Sequence, residues 1–106
     1  MSRSEKFSFD IRPDRDRVTV EVRGELDMAT VPHLEEAIEA LRRDGRRSIV
    51  LDLGNVVFMD ARGLDLLLAL EQSARTDAWD FALRDGSPSV ARLLEVTRLA
   101  DRFPRV

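Results

Sequence analysis

Apolar and polar residues alternate with period two near the start of the chain. Phe7, Phe9 and Ile11 stand between polar neighbours, and Val18, Val20 and Val22 alternate with Thr19, Glu21 and Arg23. That period puts successive side chains on opposite faces of a strand, so both runs are expected as half-buried strands. Pro13-Asp14-Arg15-Asp16 between them reads as a turn, because Pro presets φ and Asp bonds the local backbone. The pair is expected as an antiparallel hairpin with one wet face.

The period changes near Thr30. Leu34, Ala37, Ile38 and Leu41 fall on one helical stripe, with Glu35, Glu36, Glu39, Arg42 and Arg43 opposite. Thr30 is the expected N-cap, Pro32 is tolerated in the first turn, and Asp44-Gly45 closes the helix. Acids early and arginines late suit the helix dipole. Ser48 to Leu53 is nearly continuous apolar sequence, as in a central parallel strand covered on both faces. Gly54-Asn55 is expected to break it and Val56 to Met59 to form an apolar connector. Asp60 then caps a second helix carrying Leu64, Leu66, Leu67, Leu68, Ala69 and Leu70, apolar around much of its circumference and so the most buried. Trp79, Phe81 and Leu83 alternate as a fourth strand. Ser87-Pro88 opens a third helix with Val90, Leu93, Leu94 and Thr97 on one side, and Leu99 to Val106 has no clear period.

The order β-β-α-β-α-β-α implies right-handed crossovers and a mixed, mostly parallel sheet of about four strands, opened by a hairpin and packed by about three helices. The fold class is α/β. The second face of such a sheet needs cover from loops or a partner. The chain has 106 residues with a net charge of −3, 43% hydrophobic and 35% charged, which fits one domain over 1–106 with its core at about 7–103. The polar opening Met1-Ser2-Arg3-Ser4-Glu5-Lys6 lacks a signal-peptide apolar run and nothing approaches a membrane span, so cytoplasmic residence without membrane contact is expected. The mildly acidic balance argues against direct nucleic-acid binding.

Candidate chemistry is sparse. Without cysteine there is no thiolate nucleophile or zinc knuckle, and His33 is the only histidine. No metal-ligand spacing, nucleophile elbow or phosphate loop is present, so no enzyme, cofactor or metal site is expected. One stretch stands out. Phe58-Met59-Asp60-Ala61-Arg62-Gly63-Leu64 brings an apolar segment to a helix N-terminus, where free N–H groups favour an anion. Arg62 is a cation at the positive end of the dipole, disfavoured by about 0.3–1 kcal/mol unless Asp60 or Asp65 pairs with it. Gly63 in a first turn gives up about 1 kcal/mol of helix propensity relative to Ala, which close approach of neighbouring backbone, or of another protein, would explain.

These residues resemble the STAS domain, and within it the bacterial anti-sigma factor antagonists. The resemblance runs through Gly24-Glu25-Leu26-Asp27, the helix opening at Thr30, Ile49-Val50-Leu51-Asp52-Leu53, Phe58-Met59-Asp60-x-x-Gly63-Leu64 and Ser87-Pro88-x-Val90-x-x-Leu93, covering about Phe7 to Phe103. It implies a STAS-like domain that binds an ATP-binding anti-sigma factor of the Ser/Thr kinase type and so releases a sigma factor to regulate transcription. It further implies a partner surface of Asp27, Thr30, Asp60, Ala61, Arg62, Gly63 and Leu64. In the family a Ser or Thr just before the Gly of Asp-x-x-Gly is the phosphate acceptor. Here that position is Arg62, so no phosphorylation is expected there. The resemblance leaves open a homodimer, and a STAS module that takes another signalling partner or a small ligand. A phospho-aspartate receiver is a remote alternative: Val50-Leu51-Asp52-Leu53 resembles its acceptor strand, but the late lysine is missing, Lys6 being the only lysine.

Overall fold

The computed structural model describes residues 7–106. The polar opening Met1-Ser2-Arg3-Ser4-Glu5-Lys6, with the single lysine, lies outside the described residues. The elements run β1 (Ser8–Asp14), β2 (Arg17–Leu26), α1 (Val31–Arg43), β3 (Ser48–Met59), α2 (Ala61–Asp77), β4 (Asp80–Arg84) and α3 (Pro88–Val96). They form one four-stranded sheet in the order β1-β2-β3-β4, antiparallel at β1-β2 and parallel at β2-β3 and β3-β4. This is the expected α/β architecture.

The hairpin turn is tighter than its sequence suggests. Pro13 and Asp14 remain in β1, paired with Val18 and Arg17, and Arg15 takes a positive φ of 59° to reverse the chain. Pro13 is tolerated because β1 is an edge strand, where a missing N–H breaks no ladder.

A larger correction concerns β3, which does not break at Gly54-Asn55. It continues to Met59, and two register shifts, between Glu21 and Arg23 and between Gly24 and Glu25, keep β2 paired alongside it. The segment read as a connector is therefore strand, with Val56 and Met59 buried and Val57 and Phe58 exposed. Its extra length carries the chain past the end of β4 to the N-terminus of α2.

Two right-handed crossovers in the same direction place α1 and α2 on one face of the sheet. Val18, Val20 and Val22 meet Ile49, Leu51 and Leu53 beneath them, and Leu34, Ile38, Leu67 and Leu70 close the core from the helices. Seven residues of α2 are buried against two in α1, in keeping with its apolar circumference. Arg42 and Arg43 fill the last turn of α1, but its first turn holds no acid. Arg42 lies over the Trp79 ring rather than on the solvent face, its guanidinium carbon 4.7 Å from the centroid.

α3 lies along the part of β3 that outruns β4: Ser87 N donates to Leu53 O at 3.1 Å and Ser89 Oγ to Val57 O at 3.0 Å. The closing segment then finds a place that its composition does not announce. Phe103 is buried edge-on against Phe81, Arg102 reaches Glu71 on α2, and the last residues run parallel to β4, with Leu83 N donating to Pro104 O and Val106 N to Leu83 O. The tail shields the edge of the sheet.

Among the described residues, no helix covers the other face. Side chains pave it: Arg12 pairs with Glu21, Arg23 with Asp10 and Glu21, and Asn55 donates to Glu21. Arg84 arches from β4 over β3 to within 3.5 Å of Thr19 Oγ1 on β2. Val50, in the row between Thr19 and Ala82, is only 1% exposed beneath this layer. Charged side chains thus cover part of this face.

Candidate functional site

The residues singled out in the sequence gather at one end of the sheet because β2 and β3 end side by side. Leu26 pairs with Met59, and Asp60 N donates to Leu26 O at 3.2 Å, so the loop after β2 and the loop after β3 leave the sheet together. Asp27 and Asp60 each organise their own loop.

Asp27 closes an Asx turn. Its Oδ1 accepts from Ala29 N at 2.9 Å and Thr30 N at 3.2 Å. Thr30 stands at the N-cap of α1 but makes no side-chain bond to the helix. Its hydroxyl faces backward, accepting from Asp27 N at 2.9 Å and donating to Glu25 O at 2.8 Å. Thr30 thus ties the loop to β2 instead of capping α1, and the cap expected from its hydroxyl is not made.

Asp60 is the N-cap of α2, as its sequence position implies. Its Oδ1 accepts from Arg62 N at 2.8 Å and Gly63 N at 3.3 Å, satisfying two of the free donors of the first turn. With the carboxylate so engaged, the side chains beyond it divide. Ala61 and Arg62 are exposed, whereas Gly63 and Leu64 are buried.

Burial gives Gly63 its physical reason. A Cβ there would overlap Met59 Cγ and lie 3.1 Å from Leu26 O. The first turn of α2 rests directly on the end of β3, and glycine admits that approach.

Arg62 makes no ion pair among the described residues, neither with Asp60 nor with Asp65. Its charge stands at the N-terminal end of a seventeen-residue helix without an ion-pair partner of its own. Beside it, Met28 is 69% exposed, and Phe58 is 49% exposed where β3 ends. Sequence reading missed both. Phe58 was hidden in a segment read as connector, and Met28 is a lone apolar residue in a loop with no period to mark it.

No cluster of three or more potential ligands among His, Cys, Asp and Glu is present among the described residues, and His33 is exposed in the first turn of α1. No helix among them is long and apolar enough to cross a membrane. Chemically, the site offers a free cation, exposed apolar side chains and rigidly capped loops: equipment for contact rather than for bond making.

Comparison with known proteins identifies the family and the fold. The family model described as Mlab, STAS domain matches residues 9–105. The anti-sigma-B factor antagonist of Staphylococcus aureus (strain NCTC 8325 / PS 47) is 39% identical over 82 residues, spanning 77% of this chain and 76% of that protein. The crystal structure of an anti-sigma factor antagonist from Mycobacterium paratuberculosis superposes with a TM-score of 0.82 at 30% identity, covering 94% of this chain and 85% of that one. The Bacillus cell fate determinant SpoIIAA in its phosphorylated form shares the fold, with a TM-score of 0.72 at 22% identity over 93% of this chain and 91% of that one. The chain belongs to the STAS-domain family of anti-sigma factor antagonists, regulatory binding proteins rather than enzymes.

Proposed function

We propose that the protein binds an anti-sigma factor of the ATP-binding Ser/Thr kinase type, so freeing a sigma factor, and that it does so without a phosphate switch at position 62. The docking surface is the paired loop ends after β2 and β3: Asp27, Thr30, Asp60, Ala61 and Arg62, with Gly63 and Leu64 as its buried support. The observation that carries this reading is the exposed, unpaired Arg62 on the first turn of α2, which lines one cleft with the exposed Met28. On a helix an arginine can pair with an acid three residues away, as Asp65 stands here. This one is left available, on loops held rigid by Asp27 and Asp60.

Arginine offers no hydroxyl, and its charge is opposite to that of a phosphate. The partner therefore meets a permanent cation where a removable anion would otherwise stand.

Calorimetry of the wild type and Arg62→Ser against the ATP-binding anti-sigma factors of the same organism tests the proposal, with intact-mass measurement after incubation with ATP. Expected is binding by the wild type with no mass change, and one added phosphate on Arg62→Ser. Phosphate on the wild type at Ser87 or Ser89 would move the switch elsewhere. Failure of every such factor to bind would overturn the proposal.

A further inference from the structure

A cleft of about 320 Å³ runs between α1 and α2, starting at Met28 and Arg62 and leading away from the paired loops. Its floor is apolar: Val31 and Pro32 from α1, Leu66 and Ala69 from α2. Its rims are charged. Arg62 stands at the mouth, and one helical turn further in Asp65 on α2 and Glu35 on α1 line the walls. None of these three charges enters an ion pair among the described residues.

We infer that this cleft receives an amphipathic helix of the partner protein, with a carboxylate opposite Arg62 and a lysine or arginine one turn further on between Glu35 and Asp65. The inference rests on the docking function proposed above and specifies the chemistry of what docks. α1 and α2 each cross back between parallel strands, so they run side by side in the same direction. Their facing ridges leave a furrow of the kind that a third helix fills by ridge-into-groove packing. A strand would find no free backbone ladder here, because the walls are helices whose donors and acceptors are internally bonded.

Charge order sets the direction of the occupant. A cation at the mouth followed by two carboxylates repels a helix laid in the opposite sense, because its lysine would meet Arg62 and its acid would meet Glu35 and Asp65.

The test uses two helical peptides of about 15 residues and identical composition, the matched one with an acid and a lysine one turn apart flanking its apolar stripe and the other with the same two residues moved to its polar face. Each is titrated into the full chain by calorimetry and by amide chemical-shift mapping at low salt. The matched peptide is expected to bind roughly tenfold more tightly, shifting the amides of Val31, Leu66 and Ala69. Arg62→Ala combined with Glu35→Ala and Asp65→Ala is expected to abolish the preference. Equal binding of the two peptides, shifts confined to other surfaces, or no binding would overturn the inference. An anti-sigma factor that binds the wild type, weakens with Arg62→Glu and ignores Glu35→Lys and Asp65→Lys would overturn it too, while leaving the docking function standing.

Discussion

Gly63 on α2 rests on Met59, the last residue of β3, closely enough that a methyl group at position 63 would overlap the Met59 side chain. That contact sets the height at which α2 leaves the sheet, and so where Arg62, one residue earlier, meets solvent. Packing and the candidate surface are here one arrangement.

Gly63→Ala is expected to lower stability by about 1–2 kcal/mol. Overpacking costs typically 1–3 kcal/mol, and the improved helix propensity returns less than about 1. Met59 can swing aside but Leu26 O belongs to the backbone, so the helix start must shift. Urea unfolding of Gly63→Ala, Met59→Ala and the double variant measures this: the double variant is expected to be more stable than the sum of the single losses implies, since each change relieves the other.

Asp60→Ala removes an acceptor shared by two N–H groups and is expected to destabilise by about 1 kcal/mol, whereas Asp60→Asn retains most of the cap. Denaturant midpoints of the two variants check the order. Equal losses would mean that the carboxylate charge, rather than the cap geometry, holds the helix start.

Arg62→Ala is expected to stabilise the isolated protein slightly, by about 0.3–1 kcal/mol at low ionic strength, with the gain fading as salt is added. The sign follows from an unpaired cation at the positive end of the dipole. A loss of stability on this substitution would show that Arg62 has a hidden intramolecular partner, and would remove the ground for treating it as available to another protein.

Glu71 is clamped between Arg75, at 2.9 Å, and Arg102, at 3.2 Å, and its side chain is far less exposed than either arginine. Glu71→Ala is expected to destabilise by about 1–2 kcal/mol, more than Arg102→Ala, because both cations lose their partner at once; the figure lies below that of a buried pair since the arginines remain wetted. Amide exchange reads the location. Arg102→Ala should speed exchange at Leu83 and Val106, where the tail is bonded to β4, while leaving β2 protected.

The hairpin, the element order and the start of α2 were legible because each follows from neighbours in the chain. Alternating valines make a strand, and Asp60 two and three residues before free N–H groups makes a cap. The length of β3 was not legible. Gly54-Asn55 looks like a terminator locally, yet β2 shifts register twice to stay paired with it, and that accommodation lies on another strand. The tail escaped for the same reason: Arg102 and Phe103 acquire meaning only against Glu71 and Phe81, on different elements.

The candidate surface divides along the same line. Its residue types were evident, including an arginine just before Gly63. Which of them face outward was decided by packing, which buries Gly63 and Leu64, turns the Thr30 hydroxyl back toward β2 and leaves Met28 and Phe58 in the open. Local order along the chain thus determined most of the strands, the helices and the absence of a hydroxyl at positions 61 and 62, since these depend on spacing and covalent chemistry alone. Only the tertiary structure decided the extent of β3, the burial of Val50 and the cleft between α1 and α2, because burial and charge pairing arise between residues that the chain holds far apart.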